Sequence, residues 1–223
     1  MKAFSHSFRL TTATVLAMLL GSYVFASEAS AGDLREISRV NQGITIEAAE
    51  QVGDVSSVNG GIRIADGASA FEVSTINGSI TLGNGVQVSS AHTVNGRILV
   101  GSEVTVQGSL ETVNGGIRTD SGTQVEEAIE TVNGSISIHN TQVGEDIETA
   151  NGDIDILNGS IVNGDIIVRG KRHWWDRFFE FSSSRPGITI DSESRVMGDI
   201  HLYQEVDLNI ARDAVVGEII EHF

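Results

Sequence analysis

One five-residue pattern returns along this chain at a nearly constant interval, and it limits the possible folds more than composition does. Val58-Asn59-Gly60-Gly61-Ile62 is followed by Ile76-Asn77-Gly78-Ser79-Ile80 and Val94-Asn95-Gly96-Arg97-Ile98. Val113-Asn114-Gly115-Gly116-Ile117 and Val132-Asn133-Gly134-Ser135-Ile136 come next, then Ala150-Asn151-Gly152-Asp153-Ile154 and Val162-Asn163-Gly164-Asp165-Ile166. From Asn59 to Asn151 every step between successive asparagines is either 18 or 19. A fixed period of this size marks stacked repeats.

Asn-Gly is also the strongest short hairpin signal. A two-residue turn at Asn77-Gly78 would place Ile76 and Ile80 on opposite faces, because side chains alternate along a strand. A corner of a coil avoids that conflict and lets both flanking aliphatics point inward. The rest of the period agrees. In the stretch from Ile98 the apolar residues that keep the alternation are Ile98, Val100, Val104, Val106, Leu110 and Val113. Short in-out-in runs thus alternate with gaps of small or polar residues. The pattern predicts an all-β, three-sided parallel β-solenoid (a β-helix) of nine or ten coils, each one asparagine step long. The extra residue of the two longer coils falls before Leu110 and before Ile129, at one shared corner.

Stacking about 4.8 Å apart turns each repeat position into a column. Asn59, Asn77, Asn95, Asn114, Asn133, Asn151 and Asn163 are expected to form a structural ladder of buried amides. Asparagine tolerates a left-handed backbone at such a corner, and glycine supplies unusual angles at the next residue. Coils are expected to begin at Ile44, Ile62, Ile80, Ile98, Ile117, Ile136 and Ile154. Ile166 then follows Ile154 after only two thirds of a step, as if a coil had lost a side or shifted register.

Residues 1–26 read as a cleaved signal peptide. Lys2 and Arg9 precede an apolar run over Leu10 to Val24, and Val24-Phe25-Ala26 or Ala29-Ser30-Ala31 offers a cleavage site. The run is short for a membrane span. The chain has no cysteine, so disulfides and a lipoprotein anchor are excluded. An exported protein, periplasmic or secreted to the cell surface, is expected. Without Lys2 and Arg9, 12 of 14 basic residues remain against 30 acidic ones, a net charge of −18. That opposes nucleic acid as a partner. Residues 27–43 are expected to cap the N-terminal end, and 44–223 to form the repeat domain.

An insertion over 169–186 interrupts the repeat. It carries both tryptophans and the charged residues Arg169, Lys171, Arg172, Asp176, Arg177, Glu180 and Arg185, a local charge of +3. Lys171, Arg172, Trp174, Trp175, Arg177, Phe178, Phe179 and Phe181 are the candidate contact loop, within which Trp174, Trp175, Phe178 and Phe181 fall at helical spacing. Two readings stay open: an amphipathic element touching a membrane or partner, or an aromatic lid over the shorter coil.

Chemistry-bearing patterns are sparse. Asp153, Asp155 and Asp165 fall near successive Asn-Gly corners and read as a solvated acidic edge, a carboxylate cluster or a calcium site. His92, His139, His173, His201 and His222 show no metal-ligand spacing. No nucleophile-elbow serine and no phosphate loop is present. The expectation is a protein that is not an enzyme and needs no cofactor or metal.

The recurring Val-Asn-Gly-x-Ile, the signal peptide and the Gly-Asp-Ile-rich end resemble the bacterial adhesin β-strand-repeat family over residues 40–220. A weaker similarity is to the bactofilin-like coils, against which the signal peptide argues. The resemblance implies an envelope or surface role and supplies no catalytic residues. The expected function is therefore a non-catalytic adhesion or scaffold protein that binds a macromolecule: an envelope protein, a glycan or a membrane surface. End-to-end or side-by-side self-association is compatible with a rod. The alternative is a polysaccharide-binding or polysaccharide-degrading β-helix.

Overall fold

The computed structural model describes residues 34–170 and 185–223, which form a parallel β-solenoid. The segment 1–26 read as a signal peptide lies outside the described residues. Among the described residues every strand pairing is parallel, and nine strands make up the first side of the coil. These run from Ile44–Ile46 through Ile62–Ile64, Ile80–Leu82, Ile98–Val100, Ile117–Thr119 and Ile136–His139. Ile154–Leu157, Gly187–Ile190 and Asp207–Ile210 complete the side. Nine coils at about 4.8 Å each give a rod roughly 40 Å long.

The second side is short, as at Thr105–Val106, Gln124–Val125 and Gln142–Val143. The third is longer, as at Leu110–Asn114, Ile129–Asn133 and Ile147–Asn151. In two earlier coils these sides merge into single long strands, Ser69–Asn77 and Gln87–Asn95. The extra residue before Leu110 explains the difference. Val88 pairs with Val106 and Ala91 with Leu110, so two residues between the sides become three. The inserted residue breaks the strand, and later coils keep it. The step from Asn133 to Asn151 is short again because one residue is lost elsewhere, between Ile138 and Gln142.

Inward positions form continuous columns. Ile62, Ile80, Ile98, Ile117, Ile136, Ile154 and Ile188 stack on the first side, each at most 2% exposed. Val73, Ala91, Leu110, Ile129, Ile147, Ile166 and Ile200 stack on the third, all fully buried. β-Branched side chains suit such pleated, interlocking columns.

Register accounts for the short interval before Ile166. Ile166 pairs with Ile147, one full coil back, and not with Ile154. No side is lost. Val162-Asn163-Gly164-Asp165-Ile166 turns the corner between the second and third sides, as Val143 to Ile147 and Val196 to Ile200 do. Asn163 therefore lies off the asparagine ladder, contrary to expectation. Val–x–Gly–x–Ile spacing suits both corners, which is why the two look alike in sequence.

The segment expected to cap the rod contributes a strand, Ile37–Arg39, which pairs with Val55–Asn59 as an ordinary rung. Arg169 and Gly170, placed in the insertion from sequence, also belong to the coil: Arg169 N–H donates to Thr149 O at 2.8 Å. Gly170 stands at the asparagine-ladder corner, and Gly187–Ile190 is in register with Ile154–Leu157.

Candidate functional site

The Asn-Gly corner sets the outer face of the third side. Asn59 donates its side-chain amide to Asn41 Oδ1 at 2.9 Å, and Asn77 to Asn59 at 2.8 Å. Asn95, Asn114, Asn133 and Asn151 continue the ladder at 2.9–3.0 Å. Asn41 lies in Val40-Asn41-Gln42-Gly43-Ile44, which departs from the repeated motif at Gln42, and is the ladder's missed first member. The amides are exposed, not buried as expected. Asn95→Ala removes two of these bonds, and water replaces them. The predicted loss is about 1 kcal/mol, the net worth of ordinary hydrogen bonds. Urea melts check it, and a loss above about 3 kcal/mol would contradict a solvated ladder.

Neither Asn nor Gly at this corner has a left-handed backbone. Positive φ occurs at the corner after the first side instead, at Ala49, Gly67, Gly85, Glu103, Gly122, Asn140 and Asn158. The corner glycines are required by close stacking: a Cβ on Gly96 would lie 2.0 Å from Gly78 O. The aliphatic before each asparagine also points outward rather than inward. The inward position is the threonine one residue earlier. Thr75, Thr93, Thr112 and Thr131 are buried, and each hydroxyl donates to the corner glycine carbonyl one coil below at 2.9–3.0 Å.

Two outward columns run beside the asparagines. The first is an aliphatic row of Val58, Ile76, Val94, Val113, Val132 and Ala150, half-buried except for Val58 at 37% exposure. Arg169, Tyr203 and His222 extend it. The Arg169 guanidinium lies 5.5 Å from the Tyr203 ring, which stacks on His222 at 4.3 Å. Gln204 donates to both Ala150 O and Arg169 O at 2.8 Å, closing the end of the ladder.

The second column places Ser74, His92, Glu111, Glu130 and Glu148 in successive coils. Cationic groups flank its three carboxylates. His92 Nδ1 is 3.6 Å from Glu111 Oε2, and Arg169 grips both oxygens of Glu148 at 2.7 and 2.8 Å. Burial opposes a charged His92, but the carboxylates of Glu111, Glu72 and Glu127 outweigh it and raise its pKa. Burial likewise works against charge on Glu111, yet His92 and the Ser109 hydroxyl hold its pKa low. Glu130 sits between two carboxylates. Burial first, then Glu111 and Glu148, push its pKa up to about 8, with Arg169 only partly offsetting them. At neutral pH Glu130 is thus a neutral acid beside the Glu111 carboxylate.

Sequence reasoning missed this column, although Glu111, Glu130 and Glu148 each stand at the same position before a ladder asparagine. Asp153, Asp155 and Asp165 are not brought together. Asp153 Oδ1 accepts from Gly187 N–H at 2.8 Å, Asp155 lies on the first side, and Asp165 turns a different corner. His139 stands apart on the first side, whereas His201 and His222 adjoin at the C-terminal end. His173 and the candidate contact residues Lys171, Arg172, Trp174, Trp175, Arg177, Phe178, Phe179 and Phe181 lie outside the described residues. A shallow depression of about 250 Å³ on the first side is lined by Thr81, Leu82, Leu99, Val100, Gly101, Arg118 and Asp120. That is below the usual size of a small-molecule site. Compared with known proteins, the chain matches no family model, no curated protein and no solved structure.

Proposed function

We propose that this chain is an exported, non-catalytic rod of the cell envelope that binds another envelope macromolecule along its third side. The observation that carries the reading is the outward aliphatic row over six consecutive coils, Val58 to Ala150. It is a straight apolar track about 24 Å long. An asparagine ladder borders it on one flank and carboxylates on the other. Contiguous apolar surface with a polar rim is the usual mark of a protein contact. The signal-like N-terminus and the resemblance to adhesin repeats support export and a surface role. The strong negative charge disfavours an anionic polymer as the partner.

The test is binding of the purified chain to isolated envelope proteins, compared with a Val94→Lys/Val113→Lys variant. Both positions face outward, so the variant should melt within a few degrees of the parent. Its binding should fall at least tenfold, since charge is buried into an apolar contact. Unchanged binding would refute the track as the contact surface.

A second reading has one specific support. A protonated Glu130 beside the Glu111 carboxylate has the division of roles found in glycoside hydrolysis. Release of reducing ends from a polysaccharide by the parent chain, abolished by Glu130→Gln, would favour that reading over the scaffold.

A further inference from the structure

We propose that Asp165, Asp199 and His201 form a site for one divalent transition-metal ion of the zinc type. Their donor atoms all lie within 4.8 Å of one another. Spacing in the sequence conceals the set, because Asp165 and Asp199 are far apart along the chain and meet only through stacking. Both aspartates occupy the corner between the second and third sides, in adjacent coils. His201 follows on the outward face of strand Ile200–Leu202.

Each carboxylate is held by one oxygen and leaves the other for a ligand. Asp165 Oδ1 accepts from Asp199 N–H, and Asp199 Oδ1 accepts from Glu218 N–H, both at 2.8 Å. The imidazole is oriented from behind. His201 Nδ1 lies 3.1 Å from His222 Nε2, and the two rings stack at 5.3 Å. A fixed second nitrogen is the usual support of a metal-bound histidine.

The forward contact points to an ion. His201 Nε2 stands 3.5 Å from Asp165 Oδ2. That exceeds the usual range of about 2.7–3.2 Å for an N–H···O bond. It matches the edge, about 3.4 Å, between two ligands on a tetrahedral ion with bonds of about 2.0–2.1 Å. If His201 Nδ1 donates to His222, a lone pair on Nε2 faces a carboxylate, and a cation between them resolves that repulsion. The corner one coil below shows the contrast: Asp146 makes the same backbone contact, accepting from Asp165 N–H at 2.7 Å, but is not part of the donor set. One nitrogen and two oxygens suit zinc, cobalt or nickel. Calcium requires about six to eight oxygens. Three protein ligands leave one tetrahedral position open.

Zn²⁺ titrated into the chelator-treated full chain, against a competing chromophoric chelator, tests the site. The expected result is one equivalent bound, a raised Tm reversed by EDTA, and a tetrahedral visible spectrum with Co²⁺. His201→Ala and Asp165→Asn should each weaken binding at least tenfold. Asp165→Asn keeps a carbonyl oxygen for the Asp199 N–H, so it separates loss of the ligand from loss of the fold. His222→Ala should weaken binding less, and His139→Ala not at all. No Zn²⁺ binding by the parent chain, or equal affinity in His201→Ala and Asp165→Asn to that of the parent, would overturn the proposal.

Discussion

Glu130→Gln should stabilise the protein by about 2–3 kcal/mol at pH 9 and leave it almost unchanged at pH 4. The folded chain holds a proton on Glu130 up to about pH 8, whereas the same carboxyl in an unfolded chain ionises near 4.5. Below that ordinary value the group is protonated in both states and the pH has no leverage through it. As pH rises from 4.5 to about 8, the unfolded chain releases this proton and the folded chain does not, so stability falls. Above 8 Glu130 is charged in the folded coil as well and the loss is complete. A fully enclosed group displaced this far would cost about 4–5 kcal/mol. Glu130 is only half-buried, and water screens part of the penalty.

Glutamine reproduces the neutral acid and removes the titration. His92 adds in the same direction: its raised pKa gives stability that is present below about 6.5 and lost as pH climbs through the folded value. Glu111 acts oppositely, its depressed pKa stabilising the fold above its ordinary range and failing as pH drops. Denaturant melts at pH 4, 7 and 9 compare the parent with Glu130→Gln, and Glu126→Gln serves as an exposed control. An equal pH slope in parent and Glu130→Gln would show that Glu130 is ionised like any surface acid.

The coil itself was legible because so regular a period leaves few other ways to bury alternate aliphatics. Facing within the motif was not. Val-Asn-Gly-x-Ile offers two aliphatics flanking one corner, and periodicity alone cannot say that Val94 points out while Thr93 points in. The backbone decides it, because a buried threonine hydroxyl can satisfy the carbonyl that the corner glycine leaves unpaired. The same ambiguity placed Asn163 on the wrong ladder. Counting back one full coil, from Ile166 to Ile147, would have shown the second corner. The Asp165–Asp199–His201 set was hidden for another reason: metal motifs are recognised along one strand or helix, and here the donors are assembled across coils.

The largest destabilisation is expected from a single methyl group. In Gly115→Ala the new Cβ would lie 1.8 Å from Gly96 O and 2.5 Å from its carbon. No rotamer relieves this, because both contacting atoms are backbone. Relief requires the coils to part, yet Gly115 N–H donates to Asn133 O at 3.0 Å and Gly96 N–H to Asn114 O at 3.1 Å. Parting them also strains the threonine contact from Thr112 to Gly96 O at 3.0 Å. Overpacking of this kind costs about 3 kcal/mol or more.

Gly67→Ala provides the comparison. Gly67 has φ of +69°, and a Cβ there meets nothing within 4 Å. Its penalty is the left-handed backbone alone, about 1–2 kcal/mol. If left-handed geometry were the reason for glycine at both corners, the two variants would lose similar stability. Steric stacking predicts a loss at Gly115 greater by about 1 kcal/mol or more. The Asn-Gly corner is then a device for bringing backbones together, with the asparagine tying the exposed rim of the same contact. Equal urea midpoints for the two alanine variants would contradict that account.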